Sequence, residues 1–168
     1  GTSLGSAPGA NVSTLMFTST PAVLGGGGGA NSTTISTIKG VFGDDSLSGT
    51  GTDMVTYNVG NTNGVRLLNS TGFSGEYAST LTANANVKLT ADTVASTVSI
   101  NSLIVDGYSI TNPGSAATIT MSSGSLAGNI LMNSATSIAG ANTTLGISTN
   151  HLDILTTASA SISAIIGT

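Results

Sequence analysis

The sequence predicts an all-β fold, an irregular parallel β-helix (β-solenoid) with a less regular, loop-rich N-terminal section. Apolar residues recur at every second position through the second half of the chain, which is the period of a half-buried strand. The strand-like segments are only three to five residues long, and Gly, Asn or Ser turns separate them. Turns come sooner than the roughly 8 to 12 residues typical of a sandwich or barrel, so several short strands per coil, stacked along one axis, are expected.

Residues 1 to about 80 are predicted to form a loop-rich β section that packs on the same axis. Strand-like segments are expected within 11–19, 33–40 and 54–60. Between and around them lie a glycine loop at 22–33 and a second loop-rich stretch at 40–53. The section is not expected to be an independent domain, so one continuous domain is predicted.

Residues 81–168 are predicted to form the regular coils. The alternating apolar positions expected to face inward are Val87 and Leu89, Val98 and Ile100, Leu103 and Val105, Tyr108 and Ile110, Ala117, Ile119 and Met121, Ile130 and Met132, Leu145 and Ile147, Leu152 and Ile154, and Ala160, Ile162 and Ala164. The Ser and Thr residues between them are expected on the outer face. Turns are predicted at Asp106-Gly107, Asn112-Pro113-Gly114, Ser123-Gly124, Gly128-Asn129 and Gly140.

Composition excludes several classes of protein. Charged residues are 6% of the chain, against roughly a quarter in ordinary globular domains, and the net charge is −4. No basic patch favours nucleic acid, and no run reaches the roughly 18 to 20 apolar residues of a membrane-spanning helix. With 39% hydrophobic residues the chain does not have the composition of a disordered protein. It contains no cysteine, which excludes disulfides and thiolate metal sites, and it begins at Gly1, as expected of a processed or excised segment.

Two stretches resemble a known family. "DMVTYNVGNTNGVRLL" and the following "GEYASTLTANANVKLTADTVASTVSINSLIVDG" are similar to passenger regions of bacterial autotransporter-like proteins with autotransporter-associated β-strand repeats. The matching positions are Tyr57, Gly64, Val65, Arg66 and Leu68. The family's glycine-rich "GAGTLTLSG"-like repeat and its membrane barrel are absent from these residues. The resemblance implies an exported surface protein with a right-handed β-helix, and it carries over no catalytic residue.

Candidate catalytic and metal-binding residues are few. His151 is the sole histidine, and Asp153 follows two residues later, on the same face of a strand. "GDDSLSG" has Leu47 directly after its serine, where a protease nucleophile loop needs glycine. Its carboxylates Asp44 and Asp45, with Asp53, are expected to cap turns, the alternative being weak calcium binding.

The other carboxylates, Glu76, Asp92, Asp106 and Asp153, are far apart in sequence, although neighbouring coils could bring Asp92 and Asp106 together. Arg66 is expected to pair with a carboxylate or to cap carbonyl groups. The sequons at Asn11, Asn31, Asn69 and Asn142 are expected to be chance occurrences. No catalytic, cofactor-binding or metal-binding residue is therefore predicted, and the chain is not expected to be an enzyme.

Two functions fit these features. The first is an extracellular structural protein, a building unit of a bacterial surface fibre, sheath or layer, whose partner is another copy of itself. Open solenoid ends present unpaired strand edges, and the apolar "SASISAIIGT" shows no polar cap. The alternative is an adhesin that binds a cell or host surface through the loops at 25–29 and 43–53. The absence of aromatic or arginine anchors in these loops favours self-assembly.

Overall fold

The computed structural model describes residues 14–46, 49–57, 64–121, 128–147 and 152–167. These residues form strands, turns and loops, without a helix among them. In chain order the strands are β1 (Val23–Leu24), β2 (Thr37–Ile38), β3 (Phe42–Gly43), β4 (Asp53–Tyr57), β5 (Val65–Leu67), β6 (Asn86–Lys88), β7 (Thr93–Val94), β8 (Val98–Ile100), β9 (Ser102–Asp106), β10 (Ser109–Thr111), β11 (Ala117–Met121), β12 (Gly128–Asn133), β13 (Thr136–Ile138), β14 (Thr143–Ile147), β15 (Leu152–Thr156), β16 (Ala160–Ile162) and β17 (Ile165–Gly167). The all-β prediction is confirmed.

The strands from β6 onward build three stacked parallel sheets, and each sheet receives every third strand. Sheet I contains β6, β9, β12 and β15; sheet II contains β7, β10, β13 and β16; sheet III contains β8, β11, β14 and β17. Three consecutive strands, one in each sheet, are called a coil below, so coil 1 is β6–β8 and coil 4 is β15–β17. Equivalent positions in sheet I are Asn86, Ser102, Asn129 and Asp153, so the coils differ in length. This topology is compatible with a β-solenoid.

The inner faces of the three sheets share one apolar core. Alternation along each strand directs every second side chain inward, and parallel register stacks these side chains into columns. The columns of coils 2 and 3 are fully buried at Leu103 and Ile130 in sheet I, Ile110 and Ile138 in sheet II, and Ile119 and Leu145 in sheet III. Each such side chain contributes roughly 1.5–3 kcal/mol through its burial.

The section before residue 80 forms two small antiparallel sheets, β1–β2 and β3–β4–β5. It lies against the outer face of sheet I, where Ile35, Met54 and Leu68 pack on Ile104 and Leu131. Sheet I is therefore buried on both faces, and every residue of β12 is buried. The expectation of an outer face formed by Ser and Thr is wrong for this sheet.

Sheets II and III agree with that expectation. The column Ser109, Ser137 and Ser161 runs along the outside of sheet II, and Thr118 and Thr144 are neighbours on the outside of sheet III. Ser137 Oγ donates a hydrogen bond to Ser109 Oγ at 3.0 Å. Their strands contain no charged residue, so two sides of the stack present hydroxyl groups and methyl groups to water.

Three local predictions are wrong. Gly128 and Asn129, predicted as a turn, begin strand β12, where a side chain on Gly128 would collide with Met121. Glycine is needed there because the Met121 side chain occupies the space that a Cβ atom would take. Tyr108, predicted inside, precedes β10 at a corner and is 36% exposed. No strand forms over 14–19 within the described residues of that predicted segment.

Candidate functional site

Several of the carboxylates considered for catalysis are used in structural contacts. Asp92 accepts a hydrogen bond from the Ser109 amide at 2.8 Å, and Asp106 accepts one from Ser134 Oγ at 2.9 Å. Each bond joins neighbouring coils at a corner. Asp153 lies on β15, and its carboxylate lies close to Gly40. His151 is outside the described residues.

The loop at 43–53 is organised by Asp44. Its carboxylate accepts hydrogen bonds from the amides of Ser46 at 2.7 Å and Thr50 at 3.1 Å. These bonds, the one from the Ser46 amide above all, lower the pKa of the Asp44 carboxyl. The predicted turn-capping role is confirmed for Asp44.

Asp53 belongs to a different contact. It forms an ion pair with Lys88 Nζ at 3.0 Å and accepts a hydrogen bond from Thr52 Oγ1. The adjacent Tyr77 hydroxyl accepts a hydrogen bond from the Met54 amide at 2.9 Å. Burial raises the pKa of the Tyr77 phenol well above its usual range, and the negative charge of Asp53 raises it further.

A small cleft lies beside this loop. It has a volume of about 80 Å³, and its polar lining is Asp45, Asp53, Asn69, Ser70 and Thr71. Within the described ranges no group of three or more His, Cys, Asp or Glu residues is arranged to hold a metal ion.

The most buried charges belong to Arg66 and Glu76. The guanidinium Nη1 and Nη2 contact the two carboxylate oxygens at 2.7 Å and 2.6 Å, and the side chains are 1% and 0% exposed. Arg66 also donates to the Leu67 carbonyl oxygen and stacks on the Phe73 ring at 3.6 Å. The expectation that Arg66 pairs with a carboxylate or caps carbonyl groups is confirmed on both counts.

Glu76 also joins separate loops of the N-terminal section. Its oxygens accept hydrogen bonds from the amides of Asn31 at 3.0 Å and Asn69 at 2.9 Å. Burial alone would raise the pKa of the Glu76 carboxyl, but the hydrogen bonds from Arg66 and from these amides outweigh it, so the pKa is lowered. The arrangement is a structural ion pair.

In three of the four sequons the asparagine side chain forms a hydrogen bond within the protein. Asn31 Oδ1 accepts from the Ser74 amide, Asn69 Oδ1 accepts from the Glu76 amide, and Asn142 Nδ2 donates to the Gly114 carbonyl. Asn11 lies outside the described residues. These amides have structural roles in loops and corners.

The glycine loop lies against the stack. Gly25 has φ +66°, and a side chain there would collide with Asn101. Gly26 and Gly27 also have positive φ, so the conformation of this segment depends on glycine. The loop therefore presents few side chains to a partner.

The end of the stack at coil 4 exposes apolar side chains of the inner columns. Its inner columns end in Ile154, Ile162 and Ile166. Ile154 is 37% exposed and Ile166 is 54% exposed, whereas the equivalent residues of coil 3, Ile130 and Leu145, are fully buried. Within the described residues, β15, β16 and β17 each pair on one side only.

The opposite end of the stack is covered at sheets I and III. The segment 78–85 crosses it, with Ala78 bridged to Val87 and the Asn84 amide donating to the Ser99 carbonyl at 2.8 Å. Val87 is fully buried, and Leu81 packs on the core from this side. The two ends of the stack therefore differ in chemistry. Sequence reasoning identified the apolar coil 4 but not this cover, because "STLTANA" has no strand pattern.

Comparisons with protein-family models, with curated proteins and with solved structures find no match to this chain. The resemblance to autotransporter passengers therefore stays a prediction. The described residues include no helix long and apolar enough to cross a membrane.

Proposed function

We propose that this chain is a non-enzymatic structural protein, a right-handed parallel β-helix that serves as a building unit of an extracellular bacterial fibre, sheath or layer. Its partner in this role is another copy of itself. Three in-order parallel sheets around one core support the β-helix, and right-handed connections are found in about 98% of parallel crossovers.

The observation that carries the proposal is the exposed apolar end at coil 4. Strand edges that lack a partner are sites where a further strand adds, and Ile154 and Ile166 at this end of the core are exposed. The only charged residue among the described residues of coil 4 is Asp153, on the outer face of sheet I. Charge repulsion between copies is therefore small.

Negative-stain microscopy and size-exclusion chromatography across a concentration series test this function. Larger assemblies are expected as concentration rises, and Ile166→Lys should abolish them without unfolding the protein, because Ile166 is already half-exposed. Thr118→Lys, on the outside of sheet III, is the matched control and separates association through the end from association through this flank. A monomer at every concentration would contradict self-association.

The alternative function is an adhesin of the autotransporter type. The loop at 43–53 borders the cleft that Asp45 and Asp53 line, and it is held in place by Asp44. If this loop binds a surface, exchanging it for a glycine-serine segment should abolish adhesion of particles coated with the protein, while Ile166→Lys should leave adhesion intact. If the function is structural assembly, exchanging the loop should leave assembly intact and Ile166→Lys should abolish it.

A further inference from the structure

We infer that Met16 is a site of oxidation, at which a peroxide converts an exposed apolar strip of the N-terminal section into a polar one while the fold is kept. The strip is formed by Leu15, Met16 and Phe17. The inference concerns another surface than coil 4 and does not depend on self-association.

The four methionines of the chain differ in their access to water. Met16 is 52% exposed, whereas Met54, Met121 and Met132 are fully buried. Met54 lies in the cluster between the N-terminal section and sheet I, and the other two lie in the core of the stack. Because an oxidant must touch the sulfur atom, and exposure decides which sulfur it reaches, Met16 is expected to react first.

The backbone beneath Met16 leaves room for its sulfur. Met16 Sδ lies beside Gly64, where φ is +67° and a Cβ atom would come within 2.8 Å of the sulfur. Glycine at this position lets the thioether rest on the backbone while the methionine stays about half exposed. A small oxidant can approach from the open side.

Oxidation by hydrogen peroxide needs no catalytic group of the protein. A lone pair on Met16 Sδ attacks one peroxide oxygen, so that an S–O bond forms and the O–O bond breaks. The released hydroxide takes the proton from the transferred oxygen and leaves as water. Sulfur loses two electrons and the peroxide gains two, so the products are a sulfoxide and water, and a methionine sulfoxide reductase can restore the thioether.

The strip is attached through groups other than the sulfur. The Val65 amide donates a hydrogen bond to the Leu15 carbonyl at 2.9 Å. The Tyr57 hydroxyl donates to the Phe17 carbonyl at 3.2 Å, and the two rings meet edge to face with 5.3 Å between their centroids. Because backbone groups and a neighbouring ring make these contacts, they should survive the addition of an oxygen atom to Met16.

Oxidation changes the character of the strip at its centre. Leu15 is 50% exposed and Phe17 is 40% exposed, one on each side of Met16 in the sequence. A sulfoxide replaces the middle apolar side chain with a polar one. This group loses its hydration when an apolar surface covers the strip, so oxidation is expected to weaken any apolar contact made here.

Peptide mapping after a time course in hydrogen peroxide tests the site. Cleavage after Lys39 and Arg66 separates Met16 from Met54, and both from the two methionines of the stack. One added oxygen, about 16 Da, is expected on the Met16 peptide while the other methionines remain unmodified. The same treatment in denaturant is the control and should modify all four. Equal reaction of the four in the folded protein, or slower reaction of Met16, would overturn the inference.

Retention on a hydrophobic-interaction column tests the change in the strip. The oxidised protein should elute earlier than the untreated protein. Met16→Leu, which removes the sulfur and keeps an apolar side chain, should retain its elution position through the same treatment. Met16→Gln, with a polar side chain of similar length, should elute early without oxidant. Unchanged retention after complete oxidation of Met16 would contradict the proposed change of surface.

Chemical denaturation tests whether the fold is kept. The oxidised and untreated proteins should unfold at the same denaturant concentration. A lower midpoint after oxidation that Met16→Leu prevents would show that the modification disrupts the fold, contrary to the inference.

Discussion

The ion pair between Arg66 and Glu76 has the largest expected effect on stability of any single side-chain interaction in the N-terminal section. Both charges are removed from water, and the carboxylate receives four hydrogen bonds, two of them from amides in separate loops. Removing one partner of such a pair leaves an uncompensated buried charge, which costs much more than the pair itself contributes. The two residues are therefore expected to tolerate replacement together better than singly.

Glu76→Ala is expected to reduce the free energy of unfolding by about 3 to 5 kcal/mol. Chemical denaturation measures the change, and Asp45→Asn, an exposed carboxylate of the same section, should change it by no more than about 0.5 kcal/mol. The double variant Arg66→Leu with Glu76→Leu should recover a large part of the loss. A single variant as stable as the unmodified chain would show that the pair has no structural role.

The pH dependence of stability follows from the same site. The pKa of Glu76 is lowered in the folded protein, so the folded state binds fewer protons there than the unfolded state. Its contribution is fully present above the ordinary pKa of 4.5 and is lost as pH falls through the lowered folded value. Denaturation midpoints at neutral pH and in acid should show this loss, and Glu76→Gln should make the acid dependence shallower. An unchanged slope in Glu76→Gln would assign the acid sensitivity to other carboxylates, of which Asp44 is the first to test.

At the scale of the strand, alternation in the sequence predicted the inner columns because an inward side chain at every second position is a local property of the chain. It did not predict that sheet I is buried on both faces, because the cover comes from residues some 50 to 90 positions away in sequence. A signal was present in the consecutive apolar residues of "SLIVD" and "GNILMN", which are typical of strands buried on two sides. The sequence also did not identify Glu76 as the partner of Arg66, because the conformation of the loop between them brings the two side chains together.

A series of polar side chains on sheet I holds the N-terminal section in place. Asn86 Nδ2 donates to the Ile35 carbonyl at 2.8 Å, and Asn129 Nδ2 donates to the Ile38 carbonyl at 3.0 Å. Asn129 Oδ1 also accepts from the Gly40 amide at 2.9 Å. Because neither asparagine is exposed to water, these bonds are needed to satisfy polar groups as well as to align β2 with the sheet.

Asn129→Ala is therefore expected to loosen the N-terminal section while the coils persist. The loss of stability should be about 1 to 3 kcal/mol, since two backbone groups lose their buried partner. Hydrogen exchange of the amides at 35–40 should accelerate more than that of β12, which keeps its own ladder. Ser137→Ala, on the outer face of sheet II, is the control and should leave exchange at 35–40 unchanged. Equal acceleration in both regions would show that the section and the coils unfold as one unit.

At the scale of the whole molecule, stability in a stack of coils is approximately a sum of each coil and its contacts with the neighbours. Coils 2 and 3 have a neighbour on both sides, coil 1 has the segment 78–85, and coil 4 has one neighbour among the described residues. The sequence predicted many short strands and unequal coils, but it did not distinguish the ends, because a covering segment is recognised by where it lies and not by its composition.

This asymmetry predicts a gradient of hydrogen exchange along the stack. In dilute protein the amides of β15–β17 should exchange faster than those of β12–β14, because their outer edges have no partner strand among the described residues and Ile154 and Ile166 beneath them are exposed. If copies pair through coil 4, mass action should slow exchange in β15–β17 as concentration rises and leave β12–β14 unchanged. Ile166→Lys should remove the concentration dependence and keep the gradient. Exchange in coil 4 that is as slow as in coil 3 at every dilution would show that this end is stable without a partner and would contradict self-association through coil 4.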